Sequence, residues 1–461
     1  MQTNLRWLYF VVPATAVLVY PSLASAADAA DEGKPASEAP LDAYIAKEDD
    51  SYQWKKVRQS KLGSVEYAEL ILTSQTWRDI VWKHQLHIIK PSSAPADCKQ
   101  AVLFIAGGRW RDELEDPTRE VRPPREAALL TAVAEQLKTP VAILQHVPFQ
   151  PMFGGMVEDE IISLTFENFI RTGDQEWPLL LPMVKSAVRG MDAVQEFSGE
   201  EWDLQIEEFT VTGASKRGWT TWLTGAVDPR AAAIAPMVID TLNLAPQMKH
   251  QLFSWGKYSE QIEDYTRRGI QQQMGTPLGL ALQAIVDPYA YRERLNQPKL
   301  LIMGTNDRYW PLDALNLYWD GLNGQKYILY VPNNGHGITD FQRVIGSLTA
   351  LHRHSTGEQP LPNLDWDFAA SPEALELSIA SEQQPDEVRI WLATSESRDF
   401  RESEWRHVAA KENGEGWEYS LPIPTDGYAA IFGEAVYGAG PFPLFLSTNV
   451  RIVHATGADS Q

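Results

Sequence analysis

The segment Val211-Thr212-Gly213-Ala214-Ser215-Lys216-Arg217-Gly218 joins a β-rich apolar run to a stretch of helical composition. A serine on a sharp strand-to-helix turn has its hydroxyl raised above the C-terminal edge of a sheet, where it can attack a carbonyl carbon. The usual form of that turn is G-x-S-x-G. Here the second glycine, Gly218, comes one residue late, and Arg217 fills the place of a small residue. By itself this pattern is equally that of a simple capping turn.

Two later segments add to it. The run KLLIMGT (299–305) leads into Asn306-Asp307-Arg308-Tyr309-Trp310-Pro311, and the run KYILYVP (326–332) leads into Asn333-Asn334-Gly335-His336-Gly337. A carboxylate and an imidazole thus each follow a buried-strand pattern, in the chain order Ser215, Asp307, His336. That is the order of an α/β-hydrolase triad. In such a triad His336 takes the serine proton and Asp307 holds the imidazole tautomer. The oxyanion would be met by the backbone N–H of Lys216 and by the loop after AVLFIAGG (101–108), near Gly108 and Arg109. Gly107 and Gly108 would let that backbone approach the substrate. Lys216 and Arg217 would add positive charge near the oxyanion or bind an anionic substrate group, unless they are ordinary first-turn cations facing solvent or an internal carboxylate. Asp240 is an alternative acid or a wall of the cleft, and Asp340 lies too close to His336 in sequence to be preferred. His352 and His354 stand two apart on an expected helix and so point to different sides, which does not make a metal pair. With no H-E-x-x-H, cysteine-rich, Walker or dinucleotide pattern, no metal or cofactor is implied.

The elements that must position these groups alternate. An antiparallel pair is expected over 67–91, then buried strands at 101–108, 141–147, 209–215, 231–239, 299–305 and 326–332. Helices are expected near 124–138, 158–171, 178–197 (closed by Gly199), 216–227 and 338–355. Strands alternating with helices imply a mostly parallel sheet covered on both faces. The expectation is an α/β-hydrolase domain over 41–360 with a helical cap inserted at about 242–297. After Pro360 come short alternating runs divided by Gly, Pro, Asp and Asn, which read as a small C-terminal β-sandwich-like domain over 361–461.

Residues 1–26 combine Arg6, an apolar stretch broken by Pro13 and Pro21, and Ala24-Ser25-Ala26. This is the pattern of a secretory signal peptide, with a retained anchor helix as the rival, and 27–40 reads as a flexible linker. A periplasmic or secreted protein with no membrane span after cleavage is expected; its single cysteine, Cys98, has no partner in the chain for a disulfide. The 40 Lys+Arg against 61 Asp+Glu, a formal −21, argue against a nucleic-acid partner or an anionic membrane surface.

Several blocks resemble the PhoPQ-activated pathogenicity-related protein family: Pro40 to Tyr44, Leu72 to Trp77, VTGASKRGWTT (211–221), Asp228-Pro229-Arg230, Ala235 to Asp240, GTNDRYW (304–310) and TSESRDF (394–400). The resemblance implies a bacterial secreted chain with an α/β-hydrolase-type core, and it supplies no substrate. The G-x-S-K-x-G turn is also similar to that of glucuronoyl esterases, over that turn alone. The expected function is a cofactor-independent serine hydrolase acting on an ester or amide of a small molecule, glycan or peptide; the alternative is a non-catalytic envelope binding or signalling protein on the same scaffold. Among the 16 tryptophans, Trp110 and Trp310 sit on loops and are expected in the cleft, whereas Trp219 and Trp222 are expected in the core.

Overall fold

The computed structural model describes residues 39–116, 118, 127–455 and 457–458. The expected signal peptide (1–26) lies outside the described residues, as do the linker up to residue 38 and the start of the helix expected near 124.

The main sheet has nine strands: β1 (Gln53–Leu62), β2 (Val65–Trp77), β3 (Ile80–Pro91), β4 (Gln100–Ile105), β5 (Val141–Leu144), β6 (Glu208–Ala214), β7 (Ala231–Met237), β8 (Lys299–Gly304) and β9 (Lys326–Val331). They lie in the order β1-β2-β3-β5-β4-β6-β7-β8-β9. The first three run antiparallel, and β5 to β9 form a parallel array. Every residue of β5 and of β8 is buried, as strands covered on both faces require. The edge strand β1 (QWKKVRQSKL) escapes an apolar-pattern reading because its lysines and arginine keep an exposed edge from pairing with another chain.

The helices are α1 (Pro40–Ala46), α2 (Ala127–Leu137), α3 (Asp159–Thr172), α4 (Leu180–Trp202), α5 (Lys216–Val227), α6 (Leu244–Trp255), α7 (Glu263–Arg267), α8 (Ile270–Gln273), α9 (Pro277–Val286) and α10 (Phe341–Ser355). One face of the sheet carries α1, α4 and α5, and the other carries α2 and α10. Helix α4 does not stop at Gly199. It continues to Trp202, whose ring packs edge-on against Phe197 at 4.9 Å, and it ends where Asp203 turns left-handed at φ 54°. Helices α6 to α9 fill the connection between β7 and β8. This is an α/β-hydrolase fold.

The remaining strands are β10 (Leu364–Ala370), β11 (Ala374–Ser381), β12 (Glu387–Ser395), β13 (Arg406–Ala409), β14 (Lys411–Glu412), β15 (Trp417–Pro422), β16 (Tyr428–Tyr437), β17 (Leu444–Ser447), β18 (Arg451–His454) and β19 (Gly457–Ala458). They make two antiparallel sheets, β10-β11-β15-β14 and β13-β12-β16-β18-β19, with β17 added to β16. The sheets meet face to face so closely that a Cβ at Gly433 of β16 would stand 2.2 Å from the Ile379 side chain of β11. This region shares one apolar cluster with the main sheet, in which Leu329 of β9 and Leu348 of α10 join Leu377 and Ile431. Among the described residues, no helix is long and apolar enough to cross a membrane.

Candidate active site

Parallel strands put their C-terminal ends on one edge, so the loops after β4, β6, β8 and β9 gather there. Ser215 stands between β6 and α5 at φ 60°, ψ −129°, a conformation sparsely populated by residues with a side chain. Its backbone N–H donates to Met237 O of β7 at 2.8 Å, which pins the turn to the neighbouring strand. The late glycine has a steric explanation. A Cβ at Gly218 would lie 2.7 Å from Ile239 Cγ2 and 2.9 Å from Met237 O, so the first turn of α5 can reach β7 only with no side chain there.

Arg217 is accommodated by other glycines. A Cβ at Gly213 would lie 2.9 Å from Arg217 Cβ, and one at Gly107 would lie 2.6 Å from the guanidinium. Gly107 therefore makes room for a protein side chain, where the sequence suggested room for substrate. Arg217 donates through Nε to Val147 O (2.6 Å) and through both terminal nitrogens to the two oxygens of Glu158 (2.7 and 2.8 Å). Lys216, whose backbone N–H begins α5, has its ammonium 2.9 Å from Glu158 and 3.1 Å from Asp159. Both cations are thus held by internal carboxylates, and Glu158 is kept far below the usual carboxylate range by Arg217 and Lys216 despite its burial. Gln150 completes the group. Its amide donates to Glu158 (2.6 Å) and to Gly108 O (2.8 Å), tying the carboxylate to the loop after β4.

His336 Nδ1 lies 2.8 Å from Oδ2 and 3.1 Å from Oδ1 of Asp307. The Tyr309 ring stacks on the imidazole, with centroids 4.0 Å apart, and its backbone N–H donates to Asp307 Oδ1 at 2.9 Å. His336 Nε2 is buried and has no hydrogen-bond partner among the described residues. Ser215 and His336 are not hydrogen-bonded to each other; they meet on the wall of one cavity of about 80 Å³. Asp240 is elsewhere: it accepts a 2.6 Å hydrogen bond from the Tyr318 hydroxyl, and burial pushes its carboxyl up to about 8. It does not touch His336, and with Asp307 and Tyr330 it lines a separate small void behind the site.

Of the residues expected in the cleft, Trp310 lines the cavity, whereas Arg217, Asp240 and Trp110 do not. Trp110 is buried edge-on against His146 at 5.6 Å. Trp219 and Trp222 are both buried in the main core, as expected, and Trp219 also lines the cavity. Gly108 has φ 136°, closed in by the His146 ring, and Gly108 and Arg109 are exposed and do not line the cavity. His352 bonds Thr210 and His354 bonds Gln325, on different sides of α10. Glu158, Asp159, Gln150 and Tyr309 were not found by sequence reasoning. The first three lie some 60 residues before Ser215 in a segment with no motif of its own, and Tyr309 was legible only as the neighbour of Asp307.

The family model of the PhoPQ-activated pathogenicity-related protein matches residues 41–401. A relative in Dictyostelium discoideum, named autocrine proliferation repressor protein A, is 32% identical over 384 residues, 78% of this chain and 76% of its own length. Among solved structures, an acetyl xylan esterase from Paenibacillus sp. R4 is similar at a TM-score of 0.46 and 11% identity, covering 69% of this chain and 92% of its own. An S-formylglutathione hydrolase from Agrobacterium tumefaciens is similar at a TM-score of 0.43 and 9% identity, covering 66% of this chain and 99% of its own.

Proposed function

We propose, from the premise that this chain belongs to the PhoPQ-activated pathogenicity-related protein family, that it is a serine hydrolase cleaving an ester or amide through Ser215, His336 and Asp307. The observation that carries the reading is that His336, held by Asp307 at 2.8 Å, lines one cavity with a serine in an elbow conformation. His336 Nε2 would accept the Ser215 proton as Oγ attacks the carbonyl, and would return it to the leaving group. The Asp307 carboxylate orients the ring and stabilises the imidazolium. The Lys216 N–H and a backbone N–H at Gly108 or Arg109 would meet the oxyanion; loss of one such donor typically lowers turnover about 10²–10³-fold. Water then cleaves the acyl-enzyme. Contact between Ser215 and His336 is expected to tighten when substrate binds, as such hydrogen bonds often do.

A fluorophosphonate probe should label the mature protein, and Ser215→Ala should abolish labelling. Labelling that persists in the variant, or that never occurs, removes the assignment. The substrate would be a small-molecule, glycan or peptide ester or amide. The reading includes export through residues 1–26, to be checked by N-terminal sequencing of protein recovered from the periplasm or medium.

A second reading, a signalling protein on a hydrolase scaffold, is favoured by the name of the Dictyostelium relative, a proliferation repressor. It expects an unlabelled serine and a biological effect unchanged by Ser215→Ala.

A further inference from the structure

We infer that the cavity beside Ser215 is an acyl pocket for a short apolar chain of roughly three to four carbons, so that the preferred substrates are esters of such acids. The inference rests on the serine-hydrolase reading and adds the substrate class.

The cavity starts at Ser215 and His336 and runs beneath the helices between β7 and β8. Its walls are Phe166 and Ile170 of α3, Trp219 of α5, Met248 of α6, and Leu282 and Val286 of α9. Polar groups around it are largely taken. Trp219 Nε1 donates to Val286 O at 2.6 Å, the Tyr265 hydroxyl to Asp159 at 2.9 Å, and the Gln283 amide to Met274 O and Gly279 O at 2.8 and 3.0 Å. The Lys216 ammonium is held by Glu158 and Asp159. A sugar hydroxyl or a charged group placed here would lose its water and gain little in exchange, whereas methylenes gain by leaving water. Thr241 Oγ1, Gln271 Oε1, Trp310 Nε1 and the His336 Nε2 of the site itself are the exceptions, each a buried wall atom with no hydrogen-bond partner among the described residues.

Size sets the chain length. At about 80 Å³ the cavity is smaller than the roughly 150 Å³ apolar cavity that holds a benzene, and far larger than the space of one water. On the α8–α9 side the wall is closely packed, since a Cβ at Gly279 of α9 would lie 1.9 Å from Gln273 O at the end of α8. The acyl side is assigned to the pocket because that part stays bonded to Ser215 while the alcohol must depart. The departing group is left to the solvent side of His336, which is half-buried and next to exposed Gly337.

The test is a series of p-nitrophenyl esters from acetate to decanoate, compared as kcat/KM ratios within each protein. Wild type should gain about fourfold per methylene from acetate upward, then fall beyond about four carbons. Leu282→Trp should flatten the rise, and Leu282→Ala should move the optimum to longer chains. Acetate as the best substrate, no length preference, or a preference for ω-hydroxylated chains would overturn the pocket while leaving the hydrolase reading intact. Ser215→Ala, examined by ligand-detected NMR with linear methyl ketones, reads the cavity without chemistry. Saturable binding that peaks at the same length supports the pocket even if no ester is hydrolysed, and absence of binding at every length overturns it.

Discussion

Arg217 and Glu158 form a two-pronged ion pair, at 2.7 and 2.8 Å, between the first turn of α5 and the residue preceding α3. The two helices begin alike: Glu158 has φ 55°, ψ −132°, and Ser215 has φ 60°, ψ −129°. Each strained turn is therefore bound to the other, since Glu158 holds the side chains of both residues that follow Ser215. Planar bidentate pairing is specific to arginine.

Removing this carboxylate should loosen the elbow. Glu158→Ala leaves Arg217 and Lys216 without their shared partner and is expected to lower stability by about 1–3 kcal/mol, read from urea midpoints. Glu158→Gln, which keeps the shape and part of the hydrogen bonding, should fall between. Because the Glu158 carboxyl is depressed below its unfolded value, its contribution is complete above that unfolded value, near pH ~4, and is lost as pH falls towards the folded one. The difference between wild type and Glu158→Gln should therefore shrink on acidification below about pH 4.

Asp240 acts in the opposite sense. Its carboxyl is raised to about 8 by burial, so the folded protein binds a proton there that the unfolded chain, titrating near pH ~4, has already released. Stability falls with rising pH wherever the folded state holds more protons, which here means from about pH 4 to about pH 8. Asp240→Asn should remove that part of the decline, making the variant relatively more stable at pH 8 than at pH 5. An unchanged pH slope in paired urea titrations would show that Asp240 is ionised in the fold.

The Asp307–His336 contact gives a catalytic prediction. Asp307→Asn preserves volume but offers an amide to Nδ1 and favours the wrong imidazole tautomer. Ester turnover should drop by about 10³–10⁴ in kcat with little change in thermal midpoint. Asp240→Asn, which leaves His336 untouched, should not reproduce that drop.

Gly218→Ala should damage both fold and site. The added methyl would stand 2.7 Å from Ile239 and 2.9 Å from Met237 O, so α5 must move away from β7. A loss of about 1–3 kcal/mol is expected from overpacking, together with slower fluorophosphonate labelling of Ser215. Equal labelling rates would mean that the elbow tolerates the shift.

The strands and helices that carry chemistry were legible because each has a strong local pattern. The extent of β8 follows from the apolar run LLIM closed by Gly304, and α5 is bounded by the Ser215 turn and by Asp228-Pro229. Where local pattern and packing disagree, packing decides. Charged β1 forms an edge strand, α4 runs through Gly199 because Trp202 packs on Phe197, and β17 and β18 are separated at Thr448, which bonds Gly433. The C-terminal strands were readable as strands, but not that they share a core with β9 and α10.

By itself the sequence determined the order of the elements and brought Ser215, Asp307 and His336 to the ends of strands, because hydrophobic periodicity and turn residues act over a few neighbours. Only the tertiary structure decided what those groups face. Lys216 and Arg217 pair with Glu158, Trp110 is buried against His146 while Trp219 both packs in the core and lines the cavity, and Asp240 bonds Tyr318 instead of His336. These outcomes depend on contacts between residues tens of positions apart, set by close packing and by the need of each buried charge for a partner.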